Sequence, residues 1–236
     1  MKKTVVITGA AGNLGQAVIR RFLQENYQVA AVTQPGHPNQ IETLRQLAGP
    51  SDQIRIQELD VAQEAQTRQF VDDLTATYPK INAAVLLVGG FAMGGIAETD
   101  EALMDRMIGL NFKSAYLLAR PLFLHMKEKG GGRIVLVGAR TAVEANSGKG
   151  ILAYSLAKTM IVKLADLFNV EGKAHGVVTS VIVPNIIDTP QNRADMPKAN
   201  FDTWVKPEAI ADVIAFACSP AAQQLDEPVF KIYGHQ

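Results

Sequence analysis

The sequence predicts an α/β fold: one doubly wound domain over residues 1–236, with a seven-stranded parallel sheet and helices on both faces. Three observations predict it. Short apolar runs alternate with segments of helical period from one end of the chain to the other. Most of the runs are continuously apolar, the pattern of strands covered on both sides in a parallel sheet. The chain is 47% hydrophobic, which supplies one sizeable core, but its length leaves little room for a second domain.

The elements follow in order. A first strand is expected at residues 5–7 and its helix at 14–23. A second strand is expected at 29–32 with a short helix at 41–48, and a third strand at 54–59 with a helix at 65–76. Residues 83–88 form a continuous apolar strand. The long helix expected over 103–126 should bend or break at Pro121, because proline lacks the N–H and its ring crowds the preceding turn. Strand 134–137, helix 153–168, strand 177–183, helix 207–217 and strand 229–232 complete the alternation. Segments 89–99 and 188–206 are expected to be mobile. The second is polar, holds Pro190 and Pro197, and is long for a strand-to-helix connection, which marks it for function.

Charge narrows the partners. The 23 basic and 23 acidic side chains balance, and no basic stripe suggests nucleic acid or anionic lipid. Cys218 is the sole cysteine and sits in an apolar stretch, so it reads as a small core residue. Lys2 and Lys3 precede only three apolar residues before Thr8, too few for the ~7–15 of a signal peptide or the ~20 of a membrane span. A soluble, cytoplasmic protein with a small-molecule substrate is expected. His37, His125, His175 and His235 lack metal-ligand spacing, so no metal is expected and most of them should be solvated.

The run Thr8-Gly9-Ala10-Ala11-Gly12-Asn13-Leu14-Gly15 lies between the first strand and an amphipathic helix. Glycines at such a turn let the backbone approach a pyrophosphate, and the helix start aims free N–H groups at the phosphates. No Gly-Lys-Ser/Thr follows, which excludes a Walker-type nucleotide site. A nicotinamide dinucleotide, NAD(P)H, is the expected ligand. The end of the second strand reads the adenosine ribose, an acid favouring NAD and a base NADP. Around Thr33 the chain reads Val-Thr-Gln-Pro-Gly-His, with neither an acid nor an arginine. The balance leans slightly to NADPH, since nothing there repels an extra phosphate. Asp60 either accepts from the adenine amino group or caps the next helix.

Tyr154 and Lys158 stand four apart and share a helix face after the fifth strand. A phenol with pKa ~10 is a weak acid at neutral pH. A nearby ammonium is expected to lower that pKa and make Tyr154 usable as a general acid.

With these residues in view, the chain resembles the short-chain dehydrogenase/reductase family, a Rossmann-type fold, along nearly its whole length. Residues 8–15 resemble the family's cofactor turn, with Asn13 where glycine is commonest. Gly89-Gly90 matches the segment after strand four, although Leu86-Leu87 replace its usual asparagines. Asn111 falls on the helix asparagine that orders a water in a proton relay. Residues 154–158 match the catalytic signature. Residues 184–189 resemble the proline-led cofactor loop, which brings in Pro184, Ile187 and Thr189, with Asn185 in place of a glycine. The resemblance therefore implies Tyr154, Lys158 and Asn111 as the catalytic group. It implies Gly9, Gly12, Asn13, Leu14, Gly15, Thr33, Asp60, Gly89, Gly90, Tyr154, Lys158, Pro184, Ile187 and Thr189 around the cofactor. It also implies a homodimer or homotetramer built by the helices that hold Asn111 and Tyr154.

Within that family, residues 88–95, 138–140 and 188–193, with Met196-Pro197 and 201–204, are similar to the dihydropteridine reductases. The family's carbonyl-holding serine is missing. Counting back from Tyr154 lands on Thr141; anchoring on the fifth strand lands on Ala139, which has no hydroxyl. Phe91 and Trp204 are either apolar plugs or stacking walls for a flat substrate. The expected function is an NAD(P)H-dependent reductase of a pterin-like ring. The alternatives are a general carbonyl reductase or alcohol dehydrogenase of the same family, and a non-catalytic dinucleotide sensor on the same fold.

Overall fold

The structure, a computed structural model, describes residues 2–49, 51–225 and 229–234. Its strands are β1 (Thr4–Thr8), β2 (Gln28–Thr33), β3 (Ile54–Glu58), β4 (Ala83–Leu86), β5 (Gly132–Val137), β6 (Val177–Pro184) and β7 (Val229–Ile232). They pair in parallel, in the order β3-β2-β1-β4-β5-β6-β7. The winding direction reverses between β1 and β4, so a crevice opens beyond their carboxyl ends, where sheets of this topology bind ligands.

Alternation along each strand divides the core. Val6 and Ala84 point to one face, where α3 (Glu64–Thr77), α5 (Ser114–Glu128) and α6 (Leu152–Gly172) bury Leu74, Leu118, Leu122 and Ile161. Val5, Ile7 and Val85 point to the other, under Val18, Ile19 and Phe22 of α1 (Asn13–Gln24), Leu44 of α2 (Pro38–Ala48) and Ile210 of α8 (Pro207–Ala217). Strands buried on both sides explain the unbroken apolar runs in the sequence. Cys218 is buried in the second core, and its thiol is pushed up to about 12 by that burial.

Four boundaries depart from expectation. α2 begins at Pro38 rather than at residue 41, because proline suits the first helical position. β4 stops at Leu86, because the N–H groups of Leu87 and Val88 donate to the Thr8 hydroxyl, at 3.0 and 3.4 Å. α6 runs on to Gly172. The long helix is in three pieces: α4 (Glu101–Ile108), a π turn at Gly109–Lys113, and α5. Pro121 lies inside α5 and does not break it. Leu118, Leu122, Phe123 and Met126 are all buried along that stretch, and packing outweighs the missing hydrogen bond.

Both segments expected to be mobile carry fixed contacts. Gly94 exchanges backbone hydrogen bonds with Gly150 (2.8 Å) and Leu152 (2.9 Å). In the second segment, α7 (Pro190–Asp195) is flanked by a bridge between Ile187 and Val205. Arg193 makes two bonds to Asp188, at 2.6 and 2.8 Å, and lies 4.7 Å over the Phe201 ring. Among the described residues no helix is long and apolar enough to cross a membrane.

Candidate active site

The glycine turn is shaped by backbone. Gly9 has φ +61°, in the left-handed region that favours glycine, and its carbonyl accepts from Gly12 N at 3.0 Å. A Cβ on Gly15 would lie 2.3 Å from the Gly9 carbonyl oxygen and 2.6 Å from that of Ala10. Gly15 is therefore a packing requirement of the turn, holding helix and loop together. Gly12 caps α1 without a side-chain bond, so the first-turn N–H groups, at Asn13, Leu14 and Gly15, have no acceptor within the helix.

Beyond this turn lies a cleft of about 550 Å³. Gly9, Gly12, Thr33, Asp60 and Gly89 line it, as expected, and Gln40 joins them from α2. The Thr33 hydroxyl donates to Gln40 Oε1. Asp60 Oδ1 accepts from Ala62 N at 3.0 Å. The cap position of α3 is Gln63, so the helix-cap reading of Asp60 is corrected: its carboxylate closes a short turn at the cleft wall. Asn13, Leu14, Gly15, Gly90, Tyr154, Lys158, Pro184, Ile187 and Thr189 are outside the lining of this cleft. Thr189 Oγ1 accepts from Asn192 N at 3.1 Å and so caps α7, which leaves its own O–H to donate.

The chemistry-bearing side chains come from α6 and the π turn, and they bond to main chain of β5 and of the loop after β4. Lys158 on α6 is 5% exposed and donates to the Val137 carbonyl at the end of β5, at 2.9 Å. Asn111, in the π turn, is 1% exposed. Its Nδ2 donates to the carbonyls of Gly90 (3.0 Å) and Met107 (3.1 Å), and its Oδ1 accepts from Gly90 N at 3.1 Å. The asparagine thus clamps both main-chain polar groups of one residue, Gly90, in the loop after β4. A Cβ on Gly89 would lie 2.8 Å from Asn111 Oδ1 and 3.3 Å from Lys158 Nζ, so both polar atoms approach the backbone where only glycine fits.

Electrostatics here differ from expectation. Burial pulls the Lys158 ammonium down to about 8 and pushes the Tyr154 phenol up to about 12. The expected lowering of Tyr154 by Lys158 does not appear. Nζ is 5.8 Å from the ring centre and engaged with Val137, so desolvation outweighs the charge.

Phe91 lies edge-on to Tyr154, ring centres 5.2 Å apart, with 62% of its surface exposed. Ala139 is buried just past Gly138, whose N–H continues the sheet to the Ile182 carbonyl at 2.8 Å. Thr141 belongs to a single 3-10 turn, Arg140–Ala142. Its Oγ1 is enclosed and, among the described residues, lacks a hydrogen-bond partner. A Cβ on Gly148 would touch both Ser155 Oγ (2.9 Å) and Thr141 Cβ (3.8 Å), so Thr141 packs on the Ser155 side of α6. That side is about 100° round the helix from Tyr154. Trp204 is 6% exposed and packs on Phe201 at 4.8 Å. Its reading as a substrate wall is corrected: it plugs the loop.

Sequence reasoning missed Gln40, which a helix start at Pro38 would have put in reach of Thr33. It also missed the Val137 carbonyl, a main-chain group that no residue type signals. His125 is not free in solvent, since its Nε2 accepts from Ile81 N at 3.3 Å. His235 lies outside the described residues. Among the described residues no group of three or more His, Cys, Asp or Glu could hold a metal ion.

Comparison with known proteins agrees with this geometry. The family model for short chain dehydrogenase matches residues 3–200. Dihydropteridine reductase of Dictyostelium discoideum is 30% identical over 221 residues, 90% of this chain and 86% of that protein. The 2-(R)-hydroxypropyl-CoM dehydrogenase of Xanthobacter autotrophicus is 25% identical, over 98% of this chain and 91% of that protein. A solved structure of ElxO with NADP bound shares the fold, with TM-score 0.90 at 22% identity over 98% of this chain and 97% of that one. The chain belongs to the short-chain dehydrogenase family and is an NAD(P)-dependent oxidoreductase.

Proposed function

We propose that this protein reduces a planar, pterin-like heterocycle such as a quinonoid dihydropteridine. The observation that carries the reading is Ala139. A methyl group stands at the strand-anchored position of the family's carbonyl-holding hydroxyl, while Tyr154, Lys158 and Asn111 are retained. A ketone needs its oxygen held and polarised. A quinonoid ring is already electron-poor and needs only a flat, desolvated seat. The exposed Phe91 ring beside Tyr154 supports such a seat. Thr141 offers no clear substitute hydroxyl, because its oxygen is enclosed. The 30% likeness to a dihydropteridine reductase points the same way.

The residues fit the dinucleotide. The cleft has the size of a cofactor site, and Gly9, Gly12 and Gly89 line it with main chain that no side chain covers. Gly9, Gly12, Asn13 and Leu14 would hold the pyrophosphate, Thr33 and Gln40 the adenosine ribose, and Asp60 the adenine. Gly89, Gly90, Tyr154, Lys158, Pro184, Ile187 and Thr189 would surround the nicotinamide half. When bound in its reduced form, the dinucleotide supplies a hydride. Tyr154 gives its O–H proton to the substrate. Lys158 stabilises the resulting phenolate, and Asn111, by fixing the Gly90 main chain, keeps the path for reprotonation in register.

The test is a side-by-side assay of quinonoid dihydropterin against a panel of ketones. Preference for the pterin supports the reading; turnover confined to ketones defeats it. We also infer a homodimer or homotetramer through α5 and α6. Tyr116, Leu124, Leu156, Leu167 and Val170 leave large apolar surfaces exposed on these helices. A monomer mass by light scattering would refute it.

A further inference from the structure

We infer that Gln40 is the specificity-determining residue for the adenosine ribose, and that this uncharged side chain lets the protein bind NADH and NADPH with similar affinity. The inference rests on the dinucleotide reading above.

Thr33 closes β2 at the cleft wall and is 2% exposed. Its hydroxyl donates to Gln40 Oε1, which turns the amide oxygen inward and leaves both Nε2 hydrogens for a ligand. Gln40 reaches the cleft because α2 starts at Pro38, which makes Gln40 its third residue. An amide N–H can donate to a 2′-hydroxyl oxygen or to a 2′-phosphate oxygen; the phosphate bond is the stronger for its charge, but the phosphate also gives up more hydration on binding. A carboxylate at this point would accept from the hydroxyl and repel the phosphate; a guanidinium would do the reverse.

The surrounding charges do not tip the balance. No Lys or Arg lines the cleft among the described residues. Two acids lie nearby, and both are engaged with backbone: Asp60 with Ala62 N, and Glu58 with Gly36 N at 3.1 Å. Their residual repulsion of a phosphate is opposed by the positive end of α2. Neither cofactor gains a charged partner, so neither is strongly selected.

The experiment is a direct titration of the purified chain with NADH and with NADPH, followed by the fluorescence of the reduced nicotinamide. For the unmodified chain the two Kd values are expected to agree within about tenfold. Gln40→Arg is expected to tighten NADPH by about tenfold or more and to change NADH by less than about threefold. Gln40→Glu is expected to weaken NADPH by a similar factor and to leave NADH no weaker. Thermal melts of each variant establish that it is folded. A wild-type ratio beyond about tenfold, or parallel shifts of both dinucleotides in the two charged variants, would overturn the inference. Failure of both dinucleotides to bind the wild-type chain would overturn the underlying cofactor reading as well; binding of both with no response to Gln40 would remove only this inference.

Discussion

The two ends of the candidate site, the glycine turn and the Tyr154 cluster, are built on different principles. The glycine-turn end is made from eight consecutive residues, 8–15, and works through main-chain groups that are open to solvent at Gly12 and Asn13. The Tyr154 end draws on β5, α6, the π turn and the loop after β4, and it buries an ammonium against a carbonyl. The first end offers uncharged N–H donors. The second holds a charge that the fold would exclude on stability grounds alone. The turn is therefore local and tolerant of context, whereas the Tyr154 cluster is assembled at a cost to the fold.

If that division is right, variants at the two ends separate binding from turnover. Tyr154→Phe removes the proton donor and keeps the ring that packs on Phe91. The largest effect is expected here: a fall in kcat of about 10²- to 10⁴-fold, with dinucleotide Kd unchanged. Steady-state rates and the fluorescence titration measure the two quantities independently. Full turnover by the phenylalanine variant would remove Tyr154 from the mechanism. Gly15→Ala acts at the other end. Its Cβ would stand 2.3 Å from the Gly9 carbonyl oxygen, so turn and helix must move apart. Dinucleotide Kd is expected to rise by about 10- to 100-fold, from overpacking on the order of 1–3 kcal/mol. An unchanged Kd would show that the turn is not the binding element.

The next effect sharpens the cost at the reactive end. The folded-state pKa of Lys158 is about 8, below its ordinary 10.5. Between those values the unfolded chain binds more protons, so this residue makes stability rise with pH across roughly 8 to 10.5. Below pH 8 the full penalty of burying the ammonium is present. Tyr154 and Cys218, both raised to about 12, act in the opposite sense at the alkaline end of the range, above their ordinary 10.0 and 9.0. The difference between wild type and Lys158→Met isolates the lysine. At pH 7 the methionine variant is expected to be the more stable, by on the order of 1–3 kcal/mol, with the gap closing as pH rises through this window. Denaturant melts at pH 7 and pH 9 report it, and a less stable methionine variant at pH 7 would contradict the buried-charge account. Reduction by the wild type is expected to slow as pH rises through about 8, where the ammonium is lost.

The same contrast explains what could be read from the sequence. The strands and most helices follow from apolar period, and the glycine turn follows from residues that are neighbours in the chain. The interruption at Gly109–Lys113 did not, because Met107 before it and Leu118 after it keep an apolar pattern that looks continuous. Pro121 is a breaker by local rules alone, and the buried side chains that carry the helix past it are supplied by tertiary packing. The position of Asn111, and the Lys158–Val137 bond, depend on which loops meet in space. A spacing rule can nominate such residues but carries no information about the carbonyls that receive them.

The smallest expected effect concerns the residue that sequence counting left open. Thr141 stands at the counted interval before Tyr154, and Ala139 at the position anchored on β5. Among the described residues the enclosed Thr141 Oγ1 has no partner, which makes its hydroxyl a liability to the fold. Thr141→Val keeps the shape and replaces that oxygen with a methyl group. Stability is therefore expected to rise by about 0.5–1 kcal/mol, with kcat on a dihydropterin within about twofold of wild type. A loss of kcat beyond about tenfold would mean that the loop turns Thr141 onto the substrate during the reaction. The hydroxyl would then belong to the reactive end after all, and the argument from Ala139 for a substrate that needs no carbonyl clamp would fall with it.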